Sequence, residues 1–155
     1  MPDKPCVFNN LLRWAPGLMT GNPKKTSNCT KRYNCLAWAA GCALKRWDTW
    51  GKAYWPNGIP RNWNVDTIVQ IFRSLGYELC QSSALENGWE KVALYAVAYE
   101  CRHVARQKPD GKWTSKLGNL LDLDHDTLDC LSSASLDDES YGKVAKIMKR
   151  PRCSP

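Results

Sequence analysis

The chain has 155 residues, of which 43% are hydrophobic, and these values predict one domain, 1–155, with a buried core. Its formal net charge of +7 at pH 7 favours an acidic partner over a basic one. No apolar run approaches the roughly 20 residues that a membrane-spanning helix requires, and the N-terminal residues lack the pattern of a secretory signal. We therefore expect a cytoplasmic protein without membrane contact; export as an effector without a signal peptide stays open.

Charge is distributed unevenly along the chain. Residues 122–139 carry seven acidic and no basic side chains, so the rest of the chain carries +14. Two interpretations stay open: the acidic segment docks on basic residues of the same surface, or the basic part binds an anionic partner such as nucleic acid. The second interpretation assigns binding to Lys24, Lys25, Lys31, Arg32, Lys146, Lys149, Arg150 and Arg152.

Metal-binding and cofactor motifs are missing from the sequence. The eight cysteines form no C-x-x-C pair, and the histidines are His103 and His125. The stretch that begins at Asp122 resembles a calcium-binding loop, but Thr127 replaces the required glycine and Ser133 the required glutamate. We expect no metal and no cofactor. Because the chain is long enough to fold without disulfide bonds and shows no export signal, we expect reduced thiols.

An irregular segment, 1–30, rich in proline, glycine and asparagine, precedes the first predicted helix, 31–47. Asn34 is a favourable N-cap because its side chain can accept a hydrogen bond from an amide of the first turn, which makes Cys35 the first helical residue. Four alanines and one glycine lie between 37 and 43. Such a thin helix is suited to a buried, central position.

A tryptophan-rich connection, 47–63, follows the first helix, and a second amphipathic helix then begins near Val65 and ends at Gly76. The connection is either a folded loop held together by its own indole rings or the wall of a substrate groove. The groove interpretation assigns substrate contacts to Trp38, Trp50, Trp55 and Trp63.

The next segment, 91–118, changes to strand periodicity and predicts an antiparallel meander. Its strands are expected at 91–99, 103–108 and 112–118, with a turn at 109–111. His103 lies at the start of the middle strand and shares a face with Ala105, whose small side chain would let a helix approach. The C-terminal part, 119–155, is predicted to be helical, with helices at 127–131 and 141–150.

Cys35 and His103 are the residues for which the sequence predicts chemistry. A thiol reacts as the thiolate, and the amides and dipole of a helix N-terminus lower the pKa of a cysteine. A reactive cysteine also requires a base within hydrogen-bonding distance, which a strand histidine can supply. The alternatives are a small buried hydrophobe at Cys35 and a strand histidine with satisfied hydrogen bonds at His103.

The order of these two residues resembles that of papain-like thiol hydrolases. The stretches "YNCLAWAAG", "EKVALYAVAYECRHVARQKPDGKWTSKLG", "LDHDTLDCL" and "YGKVAKIMKRP" resemble a family of small bacterial proteins in the papain-like superfamily, near its cell-wall peptidase (NlpC/P60) and transglutaminase-like branches. The resemblance covers roughly 30–151. It implies an α+β papain-like fold, with an N-terminal central helix on a small antiparallel β-sheet and flanking helices. It also implies Cys35 as nucleophile and His103 as base.

A third residue should orient the imidazole of His103. With a two-residue turn in the meander, Lys116 shares the face of His103, whereas one residue of bulge brings Ser115 to that face. Asn119 and His125 are further candidates. We rank His125 and Ser115 ahead of the other two.

The resemblance predicts hydrolysis of an amide, peptide or isopeptide bond in a peptide or protein substrate. Cys35 would attack the carbonyl, His103 would transfer the thiol proton to the leaving amine, and water would release the acyl-enzyme. The oxyanion hole would combine the Cys35 amide with a side-chain donor, for which Asn34, Tyr33 and Asn28 are candidates. A deamidase or acyltransferase effector domain and a catalytically silent module that binds an anionic partner are the alternatives.

Overall fold

The computed structural model describes residues 15–132, 135–136 and 139–153. These residues form a mixed α+β fold with two α-helices, α1 (Cys35–Ala39) and α2 (Val65–Ser74), and two 3-10 helices, Pro16–Gly21 and Asp129–Leu131. The strands are β1 Lys24–Lys25, β2 Glu78–Cys80, β3 Trp89–Val97, β4 Glu100–Gln107, β5 Trp113–Lys116, β6 Asp122–His125, β7 Ser135–Leu136, β8 Glu139–Ser140 and β9 Lys143–Pro151. No helix among the described residues has the length and apolar composition needed to cross a bilayer.

Seven of these strands form one antiparallel sheet in the order β1-β6-β5-β4-β3-β9-β2, and β7 pairs with β8 separately. The predicted meander is confirmed as β3, β4 and β5, which are neighbours in the sheet. The second helix is also confirmed, because α2 begins at Val65 and Gly76 follows its end with a φ of +94°.

The first helix is much shorter than the predicted 31–47. It ends at Ala39 because Gly41 turns the chain with a φ of +92°. The amides of Gly41 and Cys42 bond to the carbonyls of Trp38 and Ala37, which closes the last turn. Cys35 therefore begins a helix of five residues.

The prediction of a helical C-terminal part, 119–155, is wrong. The segment expected as a helix at 141–150 is β9, which pairs with β3 along its length and with β2 on its other side. Met148 is fully buried opposite Val92. A 3-10 turn, Asp129–Leu131, lies where the helix 127–131 was expected. Strand pairing outweighs the helical spacing of the apolar residues in β9.

Side chains of β3 and β4 alternate between two apolar clusters, as the pleat of a sheet requires. Val92, Leu94 and Val104 pack in the first cluster with residues of α1 and α2. Ala93, Tyr95 and Ala105 pack in the second cluster with residues of the two 3-10 helices. The sheet therefore separates α1 from the 3-10 helices.

β4 and β5 pair over a short distance and then separate. Their register joins Arg106 to Thr114 and Gln107 to Trp113. This register places Ser115, and not Lys116, on the face of Ala105, as the bulged alternative predicted. α1 lies across both strands, and the Trp38 indole donates to Thr114 Oγ1 at 3.0 Å.

Candidate active site

Cys35 lines a cavity of about 340 Å³ beside the region where β4 and β5 separate. Its side chain is buried, with 8% exposure. The cavity wall combines the start of α1, the segment after it, the start of β4 and the loop after β5. Its polar and aromatic lining includes Arg46, Asp48, Trp63, Cys101, Asn119 and Tyr141.

Asn34 fixes the start of α1, as predicted for an N-cap. Its Oδ1 accepts hydrogen bonds from the amides of Ala37 at 3.2 Å and Trp47 at 3.3 Å, and its Nδ2 donates to the Trp47 carbonyl at 2.7 Å. The Tyr33 hydroxyl donates to Asp122 Oδ2 at 2.6 Å. Two of the three side chains expected as oxyanion donors, Asn34 and Tyr33, thus make hydrogen bonds within the protein. Asn34 also lines the cavity. Asn28 is exposed.

Burial raises the pKa of the Cys35 thiol, which corrects the expectation that the helix start lowers it. The backbone amides of Val104 and Leu36 face the sulfur and act in the opposite direction, as does the charge of Arg46. Burial is the dominant effect. At rest, Cys35 is a neutral thiol beside two amides that favour its negative form.

His103 lies on the face of the sheet opposite α1. It pairs with Tyr95 in the β3–β4 register, and its fully buried ring stacks on Tyr141 with a centroid distance of 4.4 Å. The expectation that a helix covers this face is wrong, because the 3-10 helices occupy it. No hydrogen bond joins His103 to Cys35 among the described residues. They are close along the backbone, since the amide facing Cys35 belongs to Val104.

Ser115 and His125 form a hydrogen-bonded chain with His103. His103 Nε2 lies 2.9 Å from Ser115 Oγ, and Ser115 Oγ lies 2.8 Å from His125 Nε2. His125 Nδ1 lies 2.7 Å from the carbonyl oxygen of Thr127. We call these three side chains and the Thr127 carbonyl the relay. The two residues ranked first as partners of His103 are therefore both in contact with the same network.

The Thr127 carbonyl determines the direction of every hydrogen bond in the relay. A carbonyl accepts only, so His125 Nδ1 carries a proton. Burial lowers the pKa of His125 and favours its neutral form, which leaves its Nε2 as an acceptor for the Ser115 hydroxyl. Ser115 Oγ then accepts from His103 Nε2–H. This assignment makes His103 Nδ1 the unprotonated nitrogen.

His103 Nδ1 is buried and has no hydrogen-bond partner among the described residues. Burial, assisted by the nearby His125, lowers the pKa of His103 to about 3, so the ring is neutral at pH 7. A buried lone pair without a partner is costly in a folded protein. His103 is not part of the lining of the Cys35 cavity, but Tyr141, on which its ring stacks, is.

A charged network lies in the cavity wall. Arg46 Nε lies 3.1 Å from Asp48 Oδ2, and Arg46 Nη1 donates to Asn119 Oδ1 at 2.7 Å. Asp48 Oδ1 accepts from the Trp63 indole at 3.2 Å. Asn119, a candidate partner of His103, instead holds Arg46. The sequence interpretation missed Arg46 and Asp48; their opposite charges on either side of Trp47, at the end of the predicted helix, were the available signal.

The four tryptophans assigned to a substrate groove have different environments. Trp63 lines the cavity, whereas Trp38, Trp50 and Trp55 are not part of its lining. Trp50 is 64% exposed, and Trp55 is buried with its indole bonded to the Pro60 carbonyl. The 47–63 connection is therefore largely held together by its own indole rings.

The described cysteines differ in their bonding. Cys29 is disulfide-bonded, so the expectation of reduced thiols is wrong at this position, while six of the described cysteines, including Cys35 and Cys101, are free. Cys101 lines the same cavity as Cys35. No group of three or more histidine, cysteine, aspartate or glutamate side chains within the described ranges is arranged to hold a metal ion.

The basic residues assigned to an anionic partner lie in two separate places. Lys24 and Lys25 are on the edge strand β1, while the tail residues are on or after β9, near the opposite edge. Three of the tail residues face carboxylates: Lys149 lies 3.4 Å from Glu86, and Arg150 and Arg152 lie 2.5 and 3.6 Å from Glu90. Lys24 and Lys25 therefore lie at the other end of the sheet from the tail residues.

Comparisons with known proteins identify one family. The family model described as "Domain of unknown function (DUF7689)" matches residues 24–149, a range that contains α1, α2 and most of the seven-stranded sheet. No curated protein matches the chain. No solved structure matches it either.

Proposed function

The chain belongs to the DUF7689 family, and we propose that it is a cysteine-dependent hydrolase of amide, peptide or isopeptide bonds, with Cys35 as nucleophile and His103 as base. The observation that carries this proposal is the unpartnered, unprotonated Nδ1 of His103, held in that state by the relay. His103 directly precedes Val104, whose backbone amide faces the Cys35 sulfur. A cysteine at the start of a helix that crosses a histidine-bearing meander also supports a relationship to the papain-like fold.

In the proposed reaction, the substrate carbonyl enters the cavity beside Cys35. The Cys35 sulfur attacks the carbonyl carbon while His103 Nδ1 accepts the thiol proton. The C–N bond then breaks, and the proton passes from His103 to the leaving amine, which leaves an acyl group on Cys35. Water attacks this thioester, gives one proton back through His103 and restores the free thiol.

The resting pair is a neutral thiol and a neutral imidazole, so proton transfer belongs to the attack step and not to the resting enzyme. Charge that develops on the sulfur is stabilised by the amides of Val104 and Leu36 and by Arg46, while Asp48 acts in the opposite direction. Positive charge that develops on His103 is stabilised through Ser115, whose hydroxyl accepts from His103 Nε2–H. Hydrogen bonds of this kind often become shorter when substrate binds.

The test is formation of an acyl-enzyme from p-nitrophenyl acetate. We expect a burst of p-nitrophenol and one acetyl group on Cys35, located by peptide mass spectrometry. The burst should disappear in Cys35→Ala and slow by about 100-fold in His103→Gln, because general-base assistance is worth that factor or more. Cys101→Ser is the matched control, since it removes a second buried thiol from the same cavity, and it should retain the burst.

The pH dependence of alkylation by iodoacetamide gives an independent test. A base with a pKa of about 3 predicts a Cys35 rate that is independent of pH in the neutral range, and a rate that rises with pH once His103 is replaced by glutamine. An unchanged burst in Cys35→Ala, or an identical pH profile in His103→Gln, would overturn the proposal.

A further inference from the structure

Lys116 is a fully buried lysine on the face of the sheet that carries α1. Its ammonium group donates to three backbone carbonyls: those of Thr30 and Gly118, each at 2.8 Å, and that of Leu120. It forms no salt bridge with any carboxylate among the described residues. A buried charge is costly unless its hydrogen bonds are satisfied. The three carbonyls satisfy those of the Lys116 ammonium group.

The three carbonyls determine the shape of the cavity wall. Gly118 and Leu120 belong to the turn after β5, in which the Leu120 amide also bonds to the Leu117 carbonyl at 2.8 Å. Leu117, Gly118 and Asn119 line the cavity that contains Cys35, and Asn119 holds Arg46. Lys116 therefore holds the turn that positions the Arg46 guanidinium.

The number of acceptors defines the protonation state of Lys116. Three carbonyls around one nitrogen require three N–H groups, which only the ammonium form provides. Burial lowers the pKa of Lys116 to about 8, so the ammonium form still dominates at pH 7. The side chain also lies 5.2 Å from the centre of the Tyr33 ring, which favours a cation.

We propose that Lys116 is a positioning residue of the Cys35 site, which fixes the turn 117–120 by its three carbonyl contacts and supplies a buried positive charge that favours the Cys35 thiolate. This inference rests on the proposed nucleophilic role of Cys35. The sequence suggested Lys116 only as a possible partner of His103. The β4–β5 register places Lys116 on the face of α1 instead.

The charged and titratable groups around Lys116 come from four elements. Asp122 of β6 is its register partner and Tyr33 precedes α1. Cys35 begins α1, and Arg46 follows that helix. Asp122 and a Cys35 thiolate favour the charged form of Lys116, and Arg46 disfavours it. The same Coulomb interaction must favour the thiolate when Lys116 is charged, because the interaction is mutual.

The first experiment measures the rate of Cys35 alkylation by iodoacetamide at pH 7, where Lys116 is charged. Lys116→Met should slow this reaction roughly tenfold, because the variant lacks the charge that favours negative charge on the sulfur. Lys116→Arg retains the charge and should recover part of the loss. Lys112→Met, which removes a lysine near the opposite end of β5, should have no effect.

The second experiment needs no variant and remains informative if Lys116→Met fails to fold. Cys35 is converted to carboxymethylcysteine with iodoacetate in one sample and to carbamidomethylcysteine with iodoacetamide in another. These products differ by one negative charge at the sulfur. Lysine-specific NMR of the ε-carbon then follows Lys116, and we expect its pKa to be about one unit higher in the carboxymethyl protein.

Equal Lys116 titration in the two alkylated proteins would overturn the inference, as would an unchanged rate of Cys35 alkylation at pH 7 in a folded Lys116→Met variant. Neither result depends on hydrolysis of a substrate. A third outcome is that no acyl-enzyme forms but the Lys116 pKa still differs between the two alkylated proteins. That outcome would contradict the proposed function and leave the electrostatic coupling between Lys116 and Cys35 in place.

Discussion

The buried histidines predict a specific dependence of stability on pH. Both His103 and His125 have their pKa lowered by burial, His103 to about 3. Below pH 6.5 the unfolded chain binds a proton at His103 and the folded chain does not, so the free energy of unfolding decreases as pH falls, and His125 acts in the same direction. His103 contributes about 1.4 kcal/mol per pH unit. For His103 alone, the loss between pH 6.5 and 5 is about 2 kcal/mol.

The assay is urea unfolding followed by tryptophan fluorescence at several pH values between 5 and 8. His103→Gln keeps an N–H donor for Ser115 but cannot titrate, and its unfolding free energy should fall less steeply with acid, by about 1.4 kcal/mol per pH unit. Burial also raises the pKa of Asp122. Asp122 is present in both proteins, so its effect on the free energy of unfolding cancels in the comparison. Parallel curves for the two proteins would refute the neutral, buried state of His103 on which the relay depends.

Two further substitutions test the framework of the site. Ser115→Ala leaves His103 Nε2–H and the acceptor nitrogen of His125 buried without their partner, and we expect it to lower the unfolding free energy by about 2 kcal/mol; Ser74→Ala, in a partly exposed helix end, should change it little. Gly142→Ala would place a Cβ 2.0 Å from the Ala96 carbonyl oxygen at a φ of +74°, and we expect a loss of about 3 kcal/mol or more in urea unfolding. Gly58→Ala, with a φ of +79° and no atom within 4 Å, is its control and should cost about 1 kcal/mol; equal losses for the two glycines would contradict the steric explanation.

Local patterns in the sequence predicted the parts of the fold that local interactions determine. The amphipathic spacing of α2, the N-cap at Asn34 and the strands of the meander all depend on neighbours in sequence. Ser115 was a candidate partner of His103 through one residue of bulge in the meander, and His125 through its place in a motif of the family that the sequence resembles. The structure places both in one hydrogen-bonded chain.

Long-range strand pairing and burial determined the features that the sequence did not predict. β9 has apolar residues at a spacing that suits a helix, and hydrogen-bonded pairing with β3 and β2 makes it a strand. The pKa of Cys35 depends on burial by the surrounding elements, which the helix start alone does not reveal. Lys116 was considered on one face of the sheet and lies on the other, because a register change of one residue reverses every side chain.

The short pairing of β4 with β5 divides the sheet into two plates. One plate contains β1, β6 and β5, and the other contains β4, β3, β9 and β2. Two register pairs, Arg106–Thr114 and Gln107–Trp113, join them. Beyond these pairs, the start of β4 and the loop after β5 line the cavity that contains Cys35. Cys35 and His103 pack on opposite sides of this sheet, so the open part of the β4–β5 ladder lies between the proposed nucleophile and the proposed base.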